Sequence, residues 1–399
     1  MTSIEAYGEG ELVAVALPAG RALLDVLERA WAAGATCAPL DPAAPAAVRT
    51  AQLAELRPHR VIDRDGTSRR GDGRRLSGQP ALAIATSGSG GRPRFALLSH
   101  RALRASVAAS LARLASPAGQ QWVCCLPTHH IAGLAVLLRA RALGSAPLIE
   151  PRFDPARFTG LPDGAAVALV PTMLSRLLDA GVDLSRFAVL LTGGGPLPAA
   201  LAARAAAAGA RVVESYGMTE TAGGCCYDGR PLDGVEVAVD ADDRIRIAGA
   251  TLFDGYLDGA DGRDGRWLVT ADRGRLADDG RLVVLGRHDA VIVSGGENID
   301  AAAVTAALTA DPAVADAYVA GVTDPHWGAI VAAWLVPRDR LEHAGPVDAA
   351  TRERLRGVVA ARLGRQAAPR ALRWVTALPR GPLGKVRRDA LPPMRDDGH

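Results

Sequence analysis

From Ala81 onward the chain alternates short apolar runs with amphipathic stretches. Ala81-Leu-Ala-Ile-Ala85 and Phe95-Ala-Leu-Leu98 read as buried strands on either side of a polar, glycine-rich loop. Ser99 is placed to cap a helix carrying Leu103, Val107, Leu111 and Leu114 on one face. Residues 165–170 form another strand-like run, and Pro171 then opens a helix with Leu174, Leu177 and Leu178 inside it. The run 187–191 leads as a strand into Thr192-Gly-Gly-Gly195. A helix is expected over 196–208, stopped by Gly209, with a strand at 211–213 beyond it. Such alternation predicts layered α/β structure.

From Gly234 the texture changes to short strand-like runs at 235–239, 244–247 and 281–285, which predicts a small β-rich subdomain. Past Arg287-His-Asp289 the order is strand (290–293), helix (302–308), two strands (314–320 and 329–336), helix (352–363) and strand (371–375). That is an α+β unit of about a hundred residues, an ordinary domain size. Two domains are therefore expected, 1–286 and 287–399. Before Leu76 the pattern is loose: residues 22–31 read as an amphipathic helix and 68–78 as an exposed loop. The last residues, 392–399, read as a frayed tail.

Composition narrows the class. The 399 residues suffice for more than one core, and 49% hydrophobic with 22% charged residues fits a soluble globular protein. A formal charge of +3 gives no case for nucleic acid as a partner. No apolar run is long enough to span a bilayer, and the N-terminus lacks a basic and apolar signal region. The five cysteines show neither a disulfide framework nor zinc spacing, as expected for reduced thiols in the cytoplasm.

The loop Thr86-Ser-Gly-Ser-Gly-Gly-Arg-Pro-Arg94 carries the clearest chemistry. Its glycines admit close backbone approach, and successive N–H groups can form an anion nest. Thr86, Ser87 and Ser89 add hydroxyls, and Arg92 and Arg94 add charge, as a polyphosphate needs; a polar hairpin is the plainer reading. No Gly-Lys-Ser/Thr opens a helix, so the loop is not a Walker motif. In Pro127-Thr-His-His-Ile-Ala-Gly133, the paired histidines have no carboxylate or cysteine at metal-ligand spacing. In Ser215-Tyr-Gly-Met-Thr-Glu-Thr221, Tyr216 offers a ring to stack on a base, Thr219 a hydroxyl for a phosphate, and Glu220 one carboxylate of the kind Mg²⁺ takes. Lys385, in Gly384-Lys-Val-Arg-Arg388, is the single lysine among 46 Lys and Arg; such a bias would otherwise have placed arginine there.

In this order, the segments resemble the adenylate-forming superfamily, which includes acyl-CoA synthetases, peptide-synthetase adenylation domains and firefly luciferase. The likeness runs from Ala81 to Arg388, behind an N-terminal stretch that is short for the superfamily. It implies a large adenylate-forming domain of layered α/β plus β-rich structure, followed by a small mobile α+β domain. It further implies that Thr86, Ser87, Gly88, Ser89, Gly90, Gly91 and Arg94 bind ATP phosphates, with Gly90 in place of the usual Thr and Arg94 in place of the usual Lys. By the same likeness Gly194, Gly195, Ser215, Tyr216 and Gly217 hold the adenine side, and Thr219 meets the α-phosphate. Asp272 and Arg287 hold the ribose, although Ala271 departs from the usual Gly. Glu220 is the implied metal ligand, and Asp289 the hinge. Ser294, Gly295 and Gly296 line the thiol channel. Lys385, His130 and Thr219 are catalytic, and His130, Gly217 and Arg139 face the acid.

The segment His129-His-Ile-Ala-Gly-Leu-Ala-Val-Leu-Leu-Arg139 is similar to the o-succinylbenzoate–CoA ligases of menaquinone synthesis, which carry an arginine at this offset. A dicarboxylate has one carboxylate to activate and another to hold, and an arginine fork suits the second. Otherwise Arg139 is a helix-surface arginine. The expected function is therefore an ATP-dependent acid–CoA ligase using ATP, Mg²⁺ and CoA. Two alternatives stay open, an adenylation enzyme that loads a carrier protein and a non-catalytic nucleotide binder. Neither nucleic acid nor membrane is expected as a partner, and a homodimer is left open.

Overall fold

The computed structural model describes residues 7–70, 72–86, 93–288, 291–294, 297–324, 327–339, 344–381, 384 and 386–394. Among them, two seven-stranded sheets build the larger part of the molecule. The first runs Gly255–Tyr256, Arg94–Leu98, Leu82–Thr86, Thr36–Pro39, Leu12–Val15, Arg60–Asp63, Gly66–Arg69 in spatial order. The second runs Arg230–Pro231, Gly223–Tyr227, Val212–Met218, Val189–Gly193, Ala166–Leu169, Trp122–Cys124, Leu148–Ile149. Its last five strands are mutually parallel and its first two antiparallel. Ala166–Leu169 and Trp122–Cys124 are wholly buried, which is why they read as continuous apolar runs without alternation.

The region before Leu76 is more regular than its sequence pattern suggests. Leu12–Val15, Thr36–Pro39 and Arg60–Asp63 pair in parallel, with helices Arg21–Ala32 and Ala46–Leu56 between them. Four-residue strands such as Thr-Cys-Ala-Pro are too short to show a period of their own. The helix His100–Leu114 has the expected cap: Ser99 Oγ accepts from the Ala102 amide at 3.3 Å. Its buried face is rotated from the expected stripe, however. Val107 and Leu111 are half-exposed, whereas Ser106 and Ser110 are buried. Both serines are satisfied: Ser106 donates to the Ala222 carbonyl at 2.8 Å, and Ser110 shares a hydrogen bond with the Tyr227 hydroxyl at 2.7 Å. A buried hydroxyl with a partner costs little, so tertiary bonding overrides the apolar count.

The strand expected at 211–213 extends to Met218, so Ser215, Tyr216 and Gly217 lie on a strand rather than after one. The β-rich part pairs Val235–Val239, Arg244–Gly249, Trp267–Leu276 and Leu282–Arg287. Beyond it, the hairpin Val291–Ser294/Glu297–Asp300 precedes helix Ala301–Thr309, the long antiparallel pair Val314–Asp324/Gly328–Pro337, helix Ala349–Leu363 and strand Ala371–Trp374. Asp300 and Asp348 cap the two helices, accepting at 2.8 and 2.9 Å, each cap worth about 1 kcal/mol. Hydrophobic clusters keep to one side of the stretch 283–291: those of the large part end at Leu282 and those of the small part begin at Ile292.

Candidate active site

Two cavities open at the carboxyl ends of the second sheet's parallel strands. One, about 160 Å³, is lined by His130, Ala135, Arg139, Val170 and Thr219 among others. The other, about 1320 Å³, is lined by Gly195, Tyr216, Asp272, Gly286 and Arg287 among others. Gly194, Ser215 and Gly217 belong to the walls of both. A group bound in one cavity can therefore meet a group bound in the other at the tip of the strand Val212–Met218. Open α/β sheets bind ligands at such strand ends.

The smaller cavity is built on the helix Ile131–Ala142, with His130 at its N-cap. A Cβ on Gly133 would lie 2.4 Å from the Pro127 carbonyl oxygen and 2.6 Å from that of Leu126, so only glycine lets the helix fold back on its entry. The His129 and His130 rings lie 4.4 Å apart. Burial, reinforced by the neighbouring His129, pushes the His130 imidazole down to about 4, and burial also lowers His129. His130 is thus neutral at physiological pH. The unfolded chain takes up a proton at the ordinary value of 6.5, whereas the folded one resists until about 4. The stability that neutral His130 contributes is therefore complete above 6.5 and is lost as pH falls through that window to about 4. Thermal midpoints from pH 7 to pH 4 should fall less steeply in His130→Phe than in the parent. Parallel curves would contradict the depressed value.

Arg139 is not a surface residue. It is 4% exposed. Its Nε donates to Ser110 Oγ at 2.9 Å and its Nη2 to the Tyr227 hydroxyl at 3.3 Å. The guanidinium lies 5.0 Å from the centre of the Trp122 ring. None of these partners carries negative charge. The other buried charged side chains all have one: Arg60 pairs with Glu11 at 3.0 Å, Glu150 with Arg157, and Asp311 with Arg354. Among the described residues, Arg139 is the buried charge left without a counter-ion, and it faces a cavity. A guanidinium so placed calls for an anion. Ser110, Tyr227 and Trp122 had no signal in the sequence, since each comes from a different, distant element.

On the larger cavity, Tyr216 donates from its hydroxyl to Asp272 Oδ2 at 2.9 Å. Burial, and then the Asp272 charge, keep this phenol protonated. Asp272 faces Arg287 across the paired strands, with Nη1 to Oδ1 at 3.5 Å. These two residues, expected at a ribose, are thus neighbours on the wall that also carries Gly194 and Gly195. Thr86 Oγ1 donates to the Arg94 carbonyl at 3.2 Å, closing the base of the glycine-rich loop. Ser87, Gly88, Ser89, Gly90, Gly91, Asp289, Gly295, Gly296 and Lys385 lie outside the described residues. Ser294 is buried in its hairpin and lines neither cavity.

Glu220 sits in the short helical turn Thr219–Thr221 that ends the strand, beside the wall residue Thr219. Its Oε1 accepts from the Tyr256 hydroxyl at 2.8 Å, while Oε2 takes no hydrogen bond among the described residues. No cluster of three or more His, Cys, Asp or Glu is present among those residues. A single carboxylate fits Mg²⁺ shared with phosphate oxygens, and would not hold a zinc ion. Arg94, expected at the phosphates, is engaged elsewhere: its Nε is 2.8 Å from Asp258 Oδ2, and its guanidinium stacks 3.6 Å from the Tyr256 ring centre. Neither Tyr256 nor Asp258 was legible as a site residue. Gly384, the residue before Lys385, lies over the start of the helix Pro171–Asp179. Its φ is +76°, and a Cβ there would lie 3.3 Å from Thr172 Oγ1 and 3.7 Å from Val170. Val170 also lines the smaller cavity.

An AMP-binding enzyme model matches residues 74–257, and an AMP-binding enzyme C-terminal domain model matches 303–385. A Mycobacterium tuberculosis (strain H37Rv) protein named "Probable 2-succinylbenzoate–CoA ligase" is 41% identical over 335 residues, covering 80% of this chain and 85% of its own. The chain belongs to the AMP-binding enzyme family. It is an AMP-forming acid–thiol ligase with the adenylate-forming fold. A Bacillus licheniformis 2-succinylbenzoate–CoA ligase is 33% identical over 341 residues, 78% of this enzyme and 69% of that one. Among solved structures, the Bacillus subtilis o-succinylbenzoate CoA synthetase in complex with its acyl-adenylate intermediate superposes with a TM-score of 0.82 at 25% identity, covering 97% of this enzyme and 89% of that chain. No helix among the described residues is long and apolar enough to cross a membrane.

Proposed function

We propose that the enzyme activates 2-succinylbenzoate with ATP and transfers it to CoA. The observation that carries the choice of acid is Arg139, a buried guanidinium without a counter-ion on the wall of the acid cavity. His130 and Arg139 stand at opposite ends of one helical stretch, nine residues apart, on the order of 13 Å along the axis. The aliphatic carboxylate of the acid then lies near His130, where the cavities meet, and the ring carboxylate points to Arg139. A carboxylate–guanidinium pair in a dry cavity is strong and directional.

In the first half-reaction a carboxylate oxygen attacks the α-phosphorus of ATP. A bond from that oxygen to phosphorus forms, the α–β bridging bond breaks, and pyrophosphate leaves with the electron pair. Bound Mg²⁺ supplies charge neutralisation on the phosphates, with Glu220 as its protein ligand. Thr219 donates to the α-phosphate, Tyr216 stacks on the adenine, and Asp272 with Arg287 holds the ribose. Lys385 stabilises the charge that develops between carboxylate and phosphate. Neutral His130 packs against the reacting carboxylate without competing for its charge. In the second half-reaction the CoA thiolate attacks the acyl carbon. A carbon–sulfur bond forms, the acyl–oxygen bond breaks and AMP leaves. For this step residues 287–399 turn about Asp289 against residues 1–286, withdrawing Lys385 and bringing Ser294, Gly295 and Gly296 to the thiol path. A single-position hinge is an ordinary way to absorb such rotation. The five free, buried cysteines support a cytoplasmic setting, and the working unit is a monomer or a homodimer.

ATP–pyrophosphate exchange with a panel of carboxylic acids tests the reading. Exchange should be strongest with 2-succinylbenzoate, and CoA should be consumed without any added carrier protein. No exchange with any acid would make the chain a nucleotide binder. Exchange with CoA left intact would point to a protein-borne thiol.

A further inference from the structure

Glu220, the proposed metal ligand, follows a strand of the second sheet and is held by residues at the edge of the first. Glu220 is fixed twice by the segment 253–256: its carbonyl accepts from the Phe253 amide at 2.9 Å, and its Oε1 accepts from the Tyr256 hydroxyl at 2.8 Å. That segment forms the edge of the first sheet, with Gly255 opposite Leu97 and Tyr256 opposite Ala96. The Tyr256 ring is gripped on two sides. Phe253 packs edge-on at 4.8 Å between centres, and the Arg94 guanidinium lies 3.6 Å from the ring centre. Arg94 is itself oriented by Asp258, through Nε at 2.8 Å and Nη2 at 3.4 Å.

We propose that Arg94 serves as a positioning residue rather than a phosphate ligand: clamped by Asp258 and stacked on Tyr256, it fixes the hydroxyl that orients the Glu220 carboxylate toward the metal. The inference rests on Glu220 being the metal ligand. It also accounts for the arginine where the superfamily resemblance calls for lysine. A planar guanidinium can stack on a ring and fork to a carboxylate at the same time, whereas a point-charge ammonium cannot do both. Holding Oε1 leaves Oε2 as the oxygen presented to the metal, and such outer partners set both ligand orientation and metal affinity.

The test is metal binding by the protein–nucleotide complex. Mn²⁺ serves as the probe and a non-hydrolysable ATP analogue as the nucleotide, with bound Mn²⁺ read by paramagnetic resonance. Nucleotide affinity in the presence of a chelator is measured alongside by calorimetry. Tyr256→Phe, which removes one oxygen, should weaken Mn²⁺ about tenfold, the usual order for loss of an outer partner. Arg94→Lys and Asp258→Asn should weaken it in the same direction by a smaller factor. Metal-free nucleotide affinity should stay at the parent value in all three. Glu220→Gln separates the two levels of the argument. If it lowers Mn²⁺ affinity while Tyr256→Phe and Arg94→Lys do not, Glu220 is the ligand and the relay proposed here is wrong. If Glu220→Gln itself changes nothing, the metal assignment falls. If Arg94→Lys instead lowers metal-free nucleotide affinity and spares Mn²⁺, Arg94 is a phosphate ligand and the proposal is overturned.

Discussion

Lys385→Ala should reduce acyl-adenylate formation by roughly 10² to 10³, the order seen when one donor to a developing charge is removed. The same variant, given preformed acyl-adenylate, should transfer the acyl group to CoA at nearly the parent rate. The asymmetry follows from the role proposed for the lysine. A Cβ on Gly384, the residue before it, would lie 3.3 Å from Thr172 Oγ1 and 3.7 Å from Val170. In the role proposed for it, the lysine serves the step in which carboxylate and α-phosphate, both anionic, must approach. Once pyrophosphate has gone that approach is complete, and in the proposed domain turn the lysine is withdrawn. As the chain's only lysine, it also offers a chemical version of the experiment. An amine-directed reagent can otherwise reach only the terminal amine. Modification should silence pyrophosphate exchange in the parent and leave the second half-reaction intact. If both half-reactions fall equally, the lysine belongs to the fold or to both steps, and its assignment to the first is wrong.

Arg139→Ala should cost about a hundredfold in kcat/KM for 2-succinylbenzoate, since leaving a buried carboxylate without its partner costs a few kcal/mol. For 4-oxo-4-phenylbutanoate, which lacks the ring carboxylate, the same change should matter little. Metal–ATP binding should be unaffected. Stability supplies an independent readout. In the unliganded fold Arg139 has only Ser110, Tyr227 and the Trp122 ring as partners, and Ser110 and Tyr227 already bond each other at 2.7 Å. Replacing an uncompensated buried charge with an apolar side chain of similar length is often neutral or stabilising. Arg139→Met should therefore keep or raise the thermal midpoint while losing the dicarboxylate. That combination marks a residue kept for its ligand rather than for the fold. Equal kinetic losses for both acids, with a lowered midpoint, would make Arg139 structural.

Much of this enzyme was legible in its sequence, because its elements carry local signals. Ser99 at a helix cap, Pro171 at a helix start and Gly209 after a helix end each act within a few residues, and each lies where expected. Most of the α+β order beyond Asp289, though not the strand Glu297–Asp300, was legible for the same reason, as were the short strands expected at 235–239 and 244–247. The motifs pointed to the chemistry in the same local way: glycines, hydroxyls and a carboxylate at set spacing are read without knowing what surrounds them. The strands before Leu76 escaped because four buried residues show no period, and Ser106 and Ser110 escaped because an apolar count cannot see a partner in another element. What only the tertiary structure decided is the environment of each charge. Sequence leaves Arg139 between a surface and a pocket; burial against Ser110, Tyr227 and Trp122 settles which. Sequence places Arg94 beside a phosphate loop; pairing with Asp258, 164 residues away, turns it onto Tyr256. A side chain's charge is fixed by its type. Its solvation and its counter-ion are set by residues far along the chain, and only the fold brings those together.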